Sequence, residues 1–497
     1  MAILIIFIQI FLCISSQDRL VFVYTHFRHG ARGPTELNDN YKDLLEESWE
    51  NTGELTGVGE RMHYLLGFRN RIRYIKNQTF LSEKYDPHEI LIYSSDSNRT
   101  LVSCSSHLQG LYPQRDLNGK KLSDSQINLA NPQVDMDYEE INQEKKNLGN
   151  YALPYSMILA PIRTIKDDEK KFHLHKIKGC GELRDKITKQ NKENIIYLNE
   201  TIETFNEKYG ERLNKFYNES KKYSYSNVND FCSNVLTAYA DSRELTQFKK
   251  LGFDLDEIND FCWEYHKNKY LYEMNGDDDK IWAHIDSSLM MKEVMYYMKR
   301  RLDADITEEN EDDDIRDYSR PRMIIFSGHD TSLSSNEIFI LYALGLNINE
   351  NYLTPKFASQ LALEVKAKNN QKTSKYSDYY VSGYFDKKEI FNLSADEFID
   401  KIEKEIWSED KIDEYCGLNK NESNESYNNS TKSYRKDKAK TAYKVLMIVF
   451  ICLSTILLIS TIFLGYKLYK LTNISRKPNS NNNENVVEST THENFKV

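Results

Sequence analysis

Residues 28–34 read Arg-His-Gly-Ala-Arg-Gly-Pro, which places two guanidiniums close to one imidazole. A guanidinium is always charged and offers planar, paired donors, a geometry that suits the oxygens of a phosphate group. The imidazole of His29 can act as a nucleophile while Arg28 and Arg32 hold those oxygens. The same heptad could instead be a surface turn with two solvated arginines, because short motifs also occur by chance.

Two further stretches carry polar residues that suit the same chemistry. Residues 94–100 read Ser-Ser-Asp-Ser-Asn-Arg-Thr, and residues 327–331 read Ser-Gly-His-Asp-Thr. Arg99 is expected in the first turn of a helix, where backbone N–H groups already favour an anion. Taken alone, each stretch could be incidental, since a histidine at a strand end is more often structural than catalytic.

Each of the three stretches directly follows an apolar run that is typical of a buried strand. The runs are residues 20–26, 89–93 and 322–326, and further strands are predicted at 361–365 and 379–385. Open α/β sheets bind their ligands at the carboxyl ends of strands. The sequence therefore predicts that three strand ends deliver the polar residues to one site.

Helices are predicted after these stretches from apolar positions that recur every 3.6 residues. The helix that starts within residues 55–67 has Met62, Leu65, Leu66 and Ile72 at that spacing. The helix after Ser97 has a similar apolar face, formed by Leu101, Cys104, Leu108 and Leu111.

Arg28-His29-Gly30-x-Arg32-x-Pro34 resembles the signature of the histidine acid phosphatases, a family that includes acid phosphatases and phytases. Gly328-His329-Asp330-Thr331 resembles the second signature of the same family. A Leu-Thr-x-x-Gly segment followed by His-Tyr-x-Leu-Gly, within residues 55–67, resembles a further block. The resemblance extends from about residue 20 to residue 416.

The resemblance implies an α/β fold with a central mixed, largely parallel sheet flanked by helices. This phosphoglycerate-mutase-like core is expected at residues 17–135 and 315–416. A mostly helical cap domain is expected as an insertion at residues 136–314, which are rich in Lys, Glu, Asn and Tyr and show helical periodicity.

The resemblance also implies the roles of the site residues. His29 would attack phosphorus and form a phosphohistidine, and Asp330 would protonate the leaving alkoxide as general acid. The phosphate oxygens would be bound by Arg28, Arg32, Arg99 and His329. Neither a metal nor a cofactor is required by this chemistry.

The leading function is therefore an acid phosphatase acting on small phosphomonoesters or phosphoproteins. A phytase or inositol-polyphosphate phosphatase of the same fold is the alternative; it predicts a lysine-rich pocket, and the motifs have few neighbouring lysines. A phosphoglycerate-mutase-like transferase is disfavoured by the targeting segments described next. A catalytically dead adhesion or receptor module should have lost a key residue, and none is missing.

The ends of the chain predict export and one membrane span. Residues 1–16 are read as a signal peptide, residues 417–444 as a disordered stalk and residues 467–497 as a cytoplasmic tail. The 22 uncharged residues 445–466 would reach about 33 Å as a helix, enough to cross a bilayer. We expect a single-pass type I membrane protein whose catalytic domain lies in a lysosome-like lumen or outside the cell.

Composition limits the partners. The net charge of −10 disfavours nucleic acid, and the oligomeric state stays open. Eight N-glycosylation sequons outside the predicted tail and site agree with secretion: Asn77, Asn199, Asn218, Asn392, Asn421, Asn424, Asn428 and Asn429.

Five cysteines fall in the predicted ectodomain, and an odd number leaves at least one unpaired. The family resemblance suggests a disulfide between Cys180 and Cys416, and we pair Cys232 with Cys262. Cys104 is then free, on the apolar face of a helix where a small hydrophobic residue belongs.

Overall fold

The computed structural model describes residues 18–35, 52–113, 120–130, 139–156, 158–165, 180, 183, 196–243, 245–275, 280–307, 321–368 and 374–417. The segments predicted as signal peptide, membrane helix and cytoplasmic tail lie outside these residues, as does the predicted stalk from residue 418. Within the described part, no helix is both long and apolar enough to cross a membrane.

A seven-stranded mixed sheet forms the centre, in the order β3-β2-β4-β1-β5-β6-β7. The strands are β1 Arg19–Arg28, β2 Ile90–Ser95, β3 Arg163–Ile165, β4 Met323–Gly328, β5 Gln360–Ala367, β6 Tyr379–Phe385 and β7 Lys388–Ser394. Strands β3, β2, β4 and β1 are parallel neighbours, whereas β5, β6 and β7 are joined through antiparallel pairs. The predicted fold class, a mixed and largely parallel sheet flanked by helices, is confirmed.

Helices make up most of the rest of the described chain. They are α1 Gly57–Asn70, α2 Asn98–Leu111, α3 Asp124–Leu129, α4 Glu139–Leu148, α5 Ile196–Phe205, α6 Glu211–Tyr217, α7 Tyr225–Ala240, α8 Thr246–Lys250, α9 Leu255–Asn275, α10 Ile281–Thr307, α11 Asp330–Ala343, α12 Ile348–Asn351, α13 Ala395–Glu405 and α14 Glu409–Tyr415. Arg71–Asn77 and Asn206–Gly210 form π-helical turns that continue α1 and α5.

The central strands are apolar on both faces because helices cover both faces of the sheet. Val23 and Phe27 of β1 pack in one cluster with residues of α2, such as Leu108. Tyr24, which points to the opposite face, donates a hydrogen bond to Asn336 Oδ1 of α11 over 2.8 Å. Met290 of α10 lies on the same side, with its Sδ 3.8 Å from the Tyr24 hydroxyl.

The helices α5 to α9 have a hydrophobic core of their own. Phe205, Phe231 and Tyr265 are fully buried in it, and the Cys232–Cys262 disulfide joins α7 to α9. These helices fall within the range predicted as a cap, but so do β3, which joins the sheet edge, and α10, which packs on the sheet. The boundaries of the cap at residues 136 and 314 stay a prediction.

Both predicted disulfides are present, Cys180–Cys416 and Cys232–Cys262. Cys104 has a free thiol and is fully buried in α2. Burial raises the pKa of this thiol well above its ordinary value, so the side chain behaves as the small hydrophobic residue that the sequence predicted.

Helix α1 is present, but its predicted apolar positions are only partly buried. Leu66 packs against the core, whereas Leu65 and Ile72 are 55% and 44% exposed. The buried residues of α1 are instead Gly59, His63, Gly67 and Asn70. The reason is close packing on α2: a Cβ at Gly67 would overlap the carbonyl oxygen of His107, and a Cβ at Gly110 would overlap that of Tyr64. Two glycines let the helices approach, so the packed face is small and polar rather than apolar.

Candidate active site

The register of the sheet brings the two histidine motifs side by side. Arg28, the last residue of β1, pairs with Gly328, the last residue of β4, so His29 and His329 leave neighbouring strands together. Their ring centroids lie 5.5 Å apart. On the other side of β4, Ser94 of β2 pairs with Ser327, and the chain then enters α2, whose second residue is Arg99.

All six predicted site residues line one pocket with a cavity volume of about 250 Å³. They are Arg28, His29, Arg32, Arg99, His329 and Asp330. This agrees with the expectation that the three strand ends supply a single site; the role of each residue stays a prediction.

His29 is held in one tautomer. Its Nδ1 lies 2.9 Å from the carbonyl oxygen of Gly30, an acceptor, so the proton sits on Nδ1 and Nε2 keeps its lone pair. Burial, together with the charges of Arg28 and Arg32, holds the pKa of His29 well below its usual value. The imidazole is therefore neutral, which is the state that a nucleophile needs.

The three arginines of the pocket each have a buried donor that is unused. The Nε atoms of Arg28, Arg32 and Arg99 have no hydrogen-bond partner among the described residues. Burial and the neighbouring guanidiniums of Arg28 and Arg99 lower the pKa of Arg32 to about 10. Buried donors without acceptors are costly, and mutually repelling cations add to that cost. An anion in the pocket would relieve the repulsion between the guanidiniums.

The terminal nitrogens of these arginines are partly engaged with the protein. Arg28 Nη1 donates to the carbonyl oxygen of Pro355 over 2.9 Å, and Arg32 Nη1 donates to that of Gly33 over 2.8 Å. Such bonds fix the guanidinium planes in advance, so little rotamer freedom is lost when a ligand binds.

His329 contacts protein groups through both ring nitrogens. Its Nδ1 is 3.3 Å from Arg99 Nη2, and its Nε2 is 2.9 Å from Ser95 Oγ. Because the guanidinium can only donate, Nδ1 is the acceptor and Nε2–H donates to the serine. His329 thereby orients Arg99; its predicted donation to a phosphoryl oxygen stays a prediction.

Asp330 begins α11 and lies against Arg28, with Arg28 Nη2 2.6 Å from its Oδ2. Its Oδ1 accepts the backbone N–H of Thr331 over 2.9 Å. Burial alone would raise the pKa of this carboxyl, but the charge of Arg28 and a hydrogen bond from Tyr270 hold it well below its usual range. Asp330 is thus ionised in the ligand-free site.

The first turns of α1 hold the backbone of residues 28–31. The N–H of Thr56 donates to the carbonyl oxygen of Ala31 over 3.0 Å, and His63 Nε2 lies 3.0 Å from that of Arg28. Gly30 and Gly59 are in such close contact that a Cβ on either would overlap the other's backbone or that of Ala31. Helix α1 therefore fixes the backbone of residues 28–31, which we call the nucleophile loop.

Sequence analysis did not identify several pocket residues, which come from helix α9 and from the turn between α12 and β5. Trp263, His266, Lys269 and Tyr270 of α9 line the pocket, and so does Phe357, which stacks 4.2 Å from the guanidinium carbon of Arg28. The spacing of Trp263, His266 and Tyr270 puts them on one helix face. That spacing was the available signal, but an aromatic helix face is equally typical of a hydrophobic core.

Comparisons with known proteins agree with this geometry. Residues 19–386 match the histidine phosphatase superfamily (branch 2). The chain belongs to branch 2 of the histidine phosphatase superfamily. This confirms the predicted family.

Two curated relatives of this histidine phosphatase are acid phosphatases. It is 23% identical to prostatic acid phosphatase of Bos taurus over 378 residues, which are 74% of this chain and 77% of the relative. It is 40% identical to lysosomal acid phosphatase of Xenopus laevis over 102 residues, which span only 20% of this chain and 22% of that protein. Family and relatives together support a phosphoric monoester hydrolase.

A solved structure shows the same fold. The phytase from Citrobacter braakii superposes with a TM-score of 0.53 at 13% identity, covering 80% of this chain and 99% of the phytase chain. At that identity the likeness concerns the fold alone. The described residues of the histidine phosphatase contain no group of three or more His, Cys, Asp or Glu side chains arranged to hold a metal ion.

Proposed function

We propose that this histidine phosphatase is a membrane-anchored acid phosphatase that hydrolyses phosphate monoesters through a phosphohistidine on His29, with Asp330 as general acid. The observation that carries the proposal is the convergence of three guanidiniums, those of Arg28, Arg32 and Arg99, on one pocket beside a neutral His29 whose Nε2 keeps its lone pair. Cationic donors gather the phosphoryl oxygens, whose negative charge otherwise repels a nucleophile.

The reaction proceeds in two steps. In the first, His29 Nε2 attacks phosphorus, the bond to the ester oxygen breaks, and Asp330 gives its proton to that oxygen. In the second, water attacks the phosphohistidine, the phosphorus–nitrogen bond breaks, and Asp330 takes the proton that the water loses. The bond from His29 Nδ1 to the carbonyl oxygen of Gly30 keeps the ring aligned in both steps.

Substrate binding explains how Asp330 acquires the proton it must donate. In the ligand-free site Arg28 Nη2 holds the carboxylate at 2.6 Å. A phosphate group competes for the Arg28 guanidinium and adds negative charge beside Asp330, and both effects raise the pKa of Asp330. The acid is therefore loaded in the enzyme–substrate complex, at acidic pH.

The pocket supports a monoester more than a highly phosphorylated inositol. Among the described residues that line the pocket there is one lysine, Lys269. Its Nζ already donates to Asn229 Oδ1 over 2.8 Å. Aromatic rings also line the pocket: the ring centroids of Trp263 and Phe357 lie 6.0 and 4.2 Å from the guanidinium carbon of Arg28, and 6.3 Å from each other. A site for many phosphates would need more cations in this lining.

The proposal is tested by trapping the phosphoenzyme. We expect wild-type enzyme mixed with labelled p-nitrophenyl phosphate and quenched within one turnover to retain label on His29, and His29→Ala to retain none. Turnover of p-nitrophenyl phosphate should exceed turnover of phytate and should survive EDTA. Label on another residue, or activity that EDTA abolishes and a divalent ion restores, would contradict the proposal.

We also propose the domain and membrane arrangement predicted above: core at 17–135 and 315–416, cap at 136–314, and a span at 445–466 with the catalytic domain in a lumen or outside the cell. The lumenal or extracellular placement is supported by the pair of disulfides, which persist in oxidising compartments, and by the lysosomal relative. The full chain should stay in the membrane pellet after an alkaline carbonate wash; release into the wash would refute the span.

A further inference from the structure

Tyr270 of helix α9, in the predicted cap, contacts Asp330, the proposed general acid. Tyr270 is 5% exposed, lines the pocket, and its hydroxyl hydrogen-bonds the Asp330 carboxylate. The two residues lie on different elements, α9 and α11. Tyr270 is therefore a direct polar link between the cap helices and the proposed general acid.

The ring of Tyr270 is fixed by its neighbours. The imidazole of His266, one turn earlier in α9, stacks on it with centroids 5.8 Å apart and an interplanar angle of 30°. Lys269 Nζ lies 5.7 Å from the ring centroid. A tyrosine held in this way presents its hydroxyl in one direction, which is what a positioning residue requires.

We propose that Tyr270 is a positioning residue for the general acid: its hydroxyl, delivered by the cap helix, holds the Asp330 carboxylate against Arg28 until a substrate phosphate takes the guanidinium. The inference rests on the proposed function, because it requires Asp330 to be the acid. It adds a residue of the cap to a reaction otherwise carried by the three strand ends.

The physical consequence is a change in the proton affinity of Asp330. A hydrogen bond donated to a carboxylate favours the ionised form and lowers its pKa. Burial raises the pKa of Tyr270 well above its ordinary value, so this hydroxyl stays a donor throughout the acidic range. The other titratable or charged groups that act on Asp330, from every element around it, are Arg28, His29, Arg32, Arg99, His266, His329 and Tyr352.

The test substitution is Tyr270→Phe, which removes the hydroxyl and keeps the ring. The Asp330 pKa should rise in the enzyme–substrate complex, and the acid should keep its proton to higher pH. The alkaline limb of the single-turnover rate of phosphoenzyme formation, measured at saturating substrate, should therefore move up by about one pH unit for an alkyl phosphate. The limb for p-nitrophenyl phosphate should move much less, because nitrophenolate leaves without a proton. A residue that only supports packing would lower both substrates' rates without moving either limb.

A second substitution gives the opposite sign without removing any group. Incorporation of 3,5-difluorotyrosine at position 270 makes the hydroxyl a stronger donor, so the alkyl-phosphate limb should move down in pH. The matched control is Tyr352→Phe, another buried phenol nearby, whose hydroxyl bonds Ser334 Oγ at 2.9 Å. Its limb should stay within about 0.2 pH unit of wild type, since only the hydroxyl that bonds Asp330 should matter.

The full chain and Asp330→Asn are assayed beside these variants. Opposite shifts for the two Tyr270 variants support the inference. Unmoved limbs in both, while Asp330→Asn selectively slows alkyl phosphates, overturn the Tyr270 inference and leave the proposed function intact. Equal losses for alkyl and aryl phosphates in Asp330→Asn overturn the assignment of the acid, and the inference fails with it.

Discussion

At the scale of single residues, most of the functional groups of the ligand-free site can still bind a phosphate group. The Nδ1–H of His29 donates to the carbonyl oxygen of Gly30, which leaves Nε2 with its lone pair, and three arginines converge on the same pocket. Asp330 is the exception, because Arg28 and Tyr270 occupy it until a ligand arrives. Chemistry at this site therefore depends on which of these bonds a phosphate group displaces.

Asp330→Asn removes the proton donor and keeps the shape of the side chain. We expect it to slow formation of the phosphoenzyme at least about 100-fold for an alkyl phosphate, because an alkoxide needs that proton. The loss for p-nitrophenyl phosphate should be much smaller. Single-turnover quench-flow measures this step directly, whereas a steady-state rate could be limited by hydrolysis of the intermediate. Equal losses would mean that Asp330 only holds the site together.

At the scale of elements, helix α1 decides where the nucleophile loop lies. Thr56, Gly59 and His63 touch the backbone of residues 28–31 from one face of that helix. Contact at Gly59 is closest, because a side chain there would overlap the backbone of Ala31. A shift of this loop moves His29 and Arg32 together.

Gly59→Ala should therefore displace the loop and lower kcat, by about 100-fold if His29 moves by 1 Å. The matched control is Gly57→Ala in the same helix, where an added Cβ meets no atom of the described residues within 4 Å. That control should keep its activity and gain at most about 1 kcal/mol of stability from the less flexible unfolded chain. Both are compared by kcat and by thermal melting; similar activity in the two variants would show that the loop adapts.

A structural feature could be predicted from the sequence when the residues that determine it are neighbours in the chain. The strand ends were predictable because an apolar run and the turn that follows it are adjacent in the chain. The buried face of α1 was mispredicted because Leu65 and Ile72 are apolar yet exposed, while glycine contact with α2 depends on a distant helix. Tyr270 was missed because it meets Asp330 across 60 residues with no motif to mark the contact.

At the scale of the whole molecule, the protein buries more histidines than its proposed acidic setting would favour. His26, His63, His107 and His266 are buried, and burial lowers the pKa of each to about 3. In the unfolded chain they titrate near 6.5. The unfolded state therefore binds more protons between those two values, and each buried histidine makes the fold less stable as pH falls through that range.

His107→Gln isolates one such contribution. At pH 7 the variant should be less stable, because the His107 ring stacks on Phe27 at 4.8 Å. Below about pH 6.5 the unfolded wild-type chain binds a proton at His107 that the folded state does not, which lowers the wild type's free energy of unfolding. The variant lacks this effect, so the stability difference should shrink by about 1.4 kcal/mol per pH unit. Urea unfolding at pH 7, 6, 5 and 4 measures it. A difference that is constant with pH would mean that His107 titrates in the folded protein with the same pKa as in the unfolded chain.

The glycine contacts between α1 and α2 also bear on how the protein opens locally. Gly67 meets the backbone at His107, and Gly110 meets the backbone at Tyr64 and Phe68, so neither helix can separate without exposing the other's main chain. We expect the amide protons of both helices to exchange with deuterium through a common opening, with one free energy of opening for the whole unit. Gly110→Ala, on α2, should speed exchange in α1 as well. Because α1 clamps the loop of His29 and α2 carries Arg99, nucleophile and phosphate ligand would then be lost in the same opening event and recovered in the same closing one.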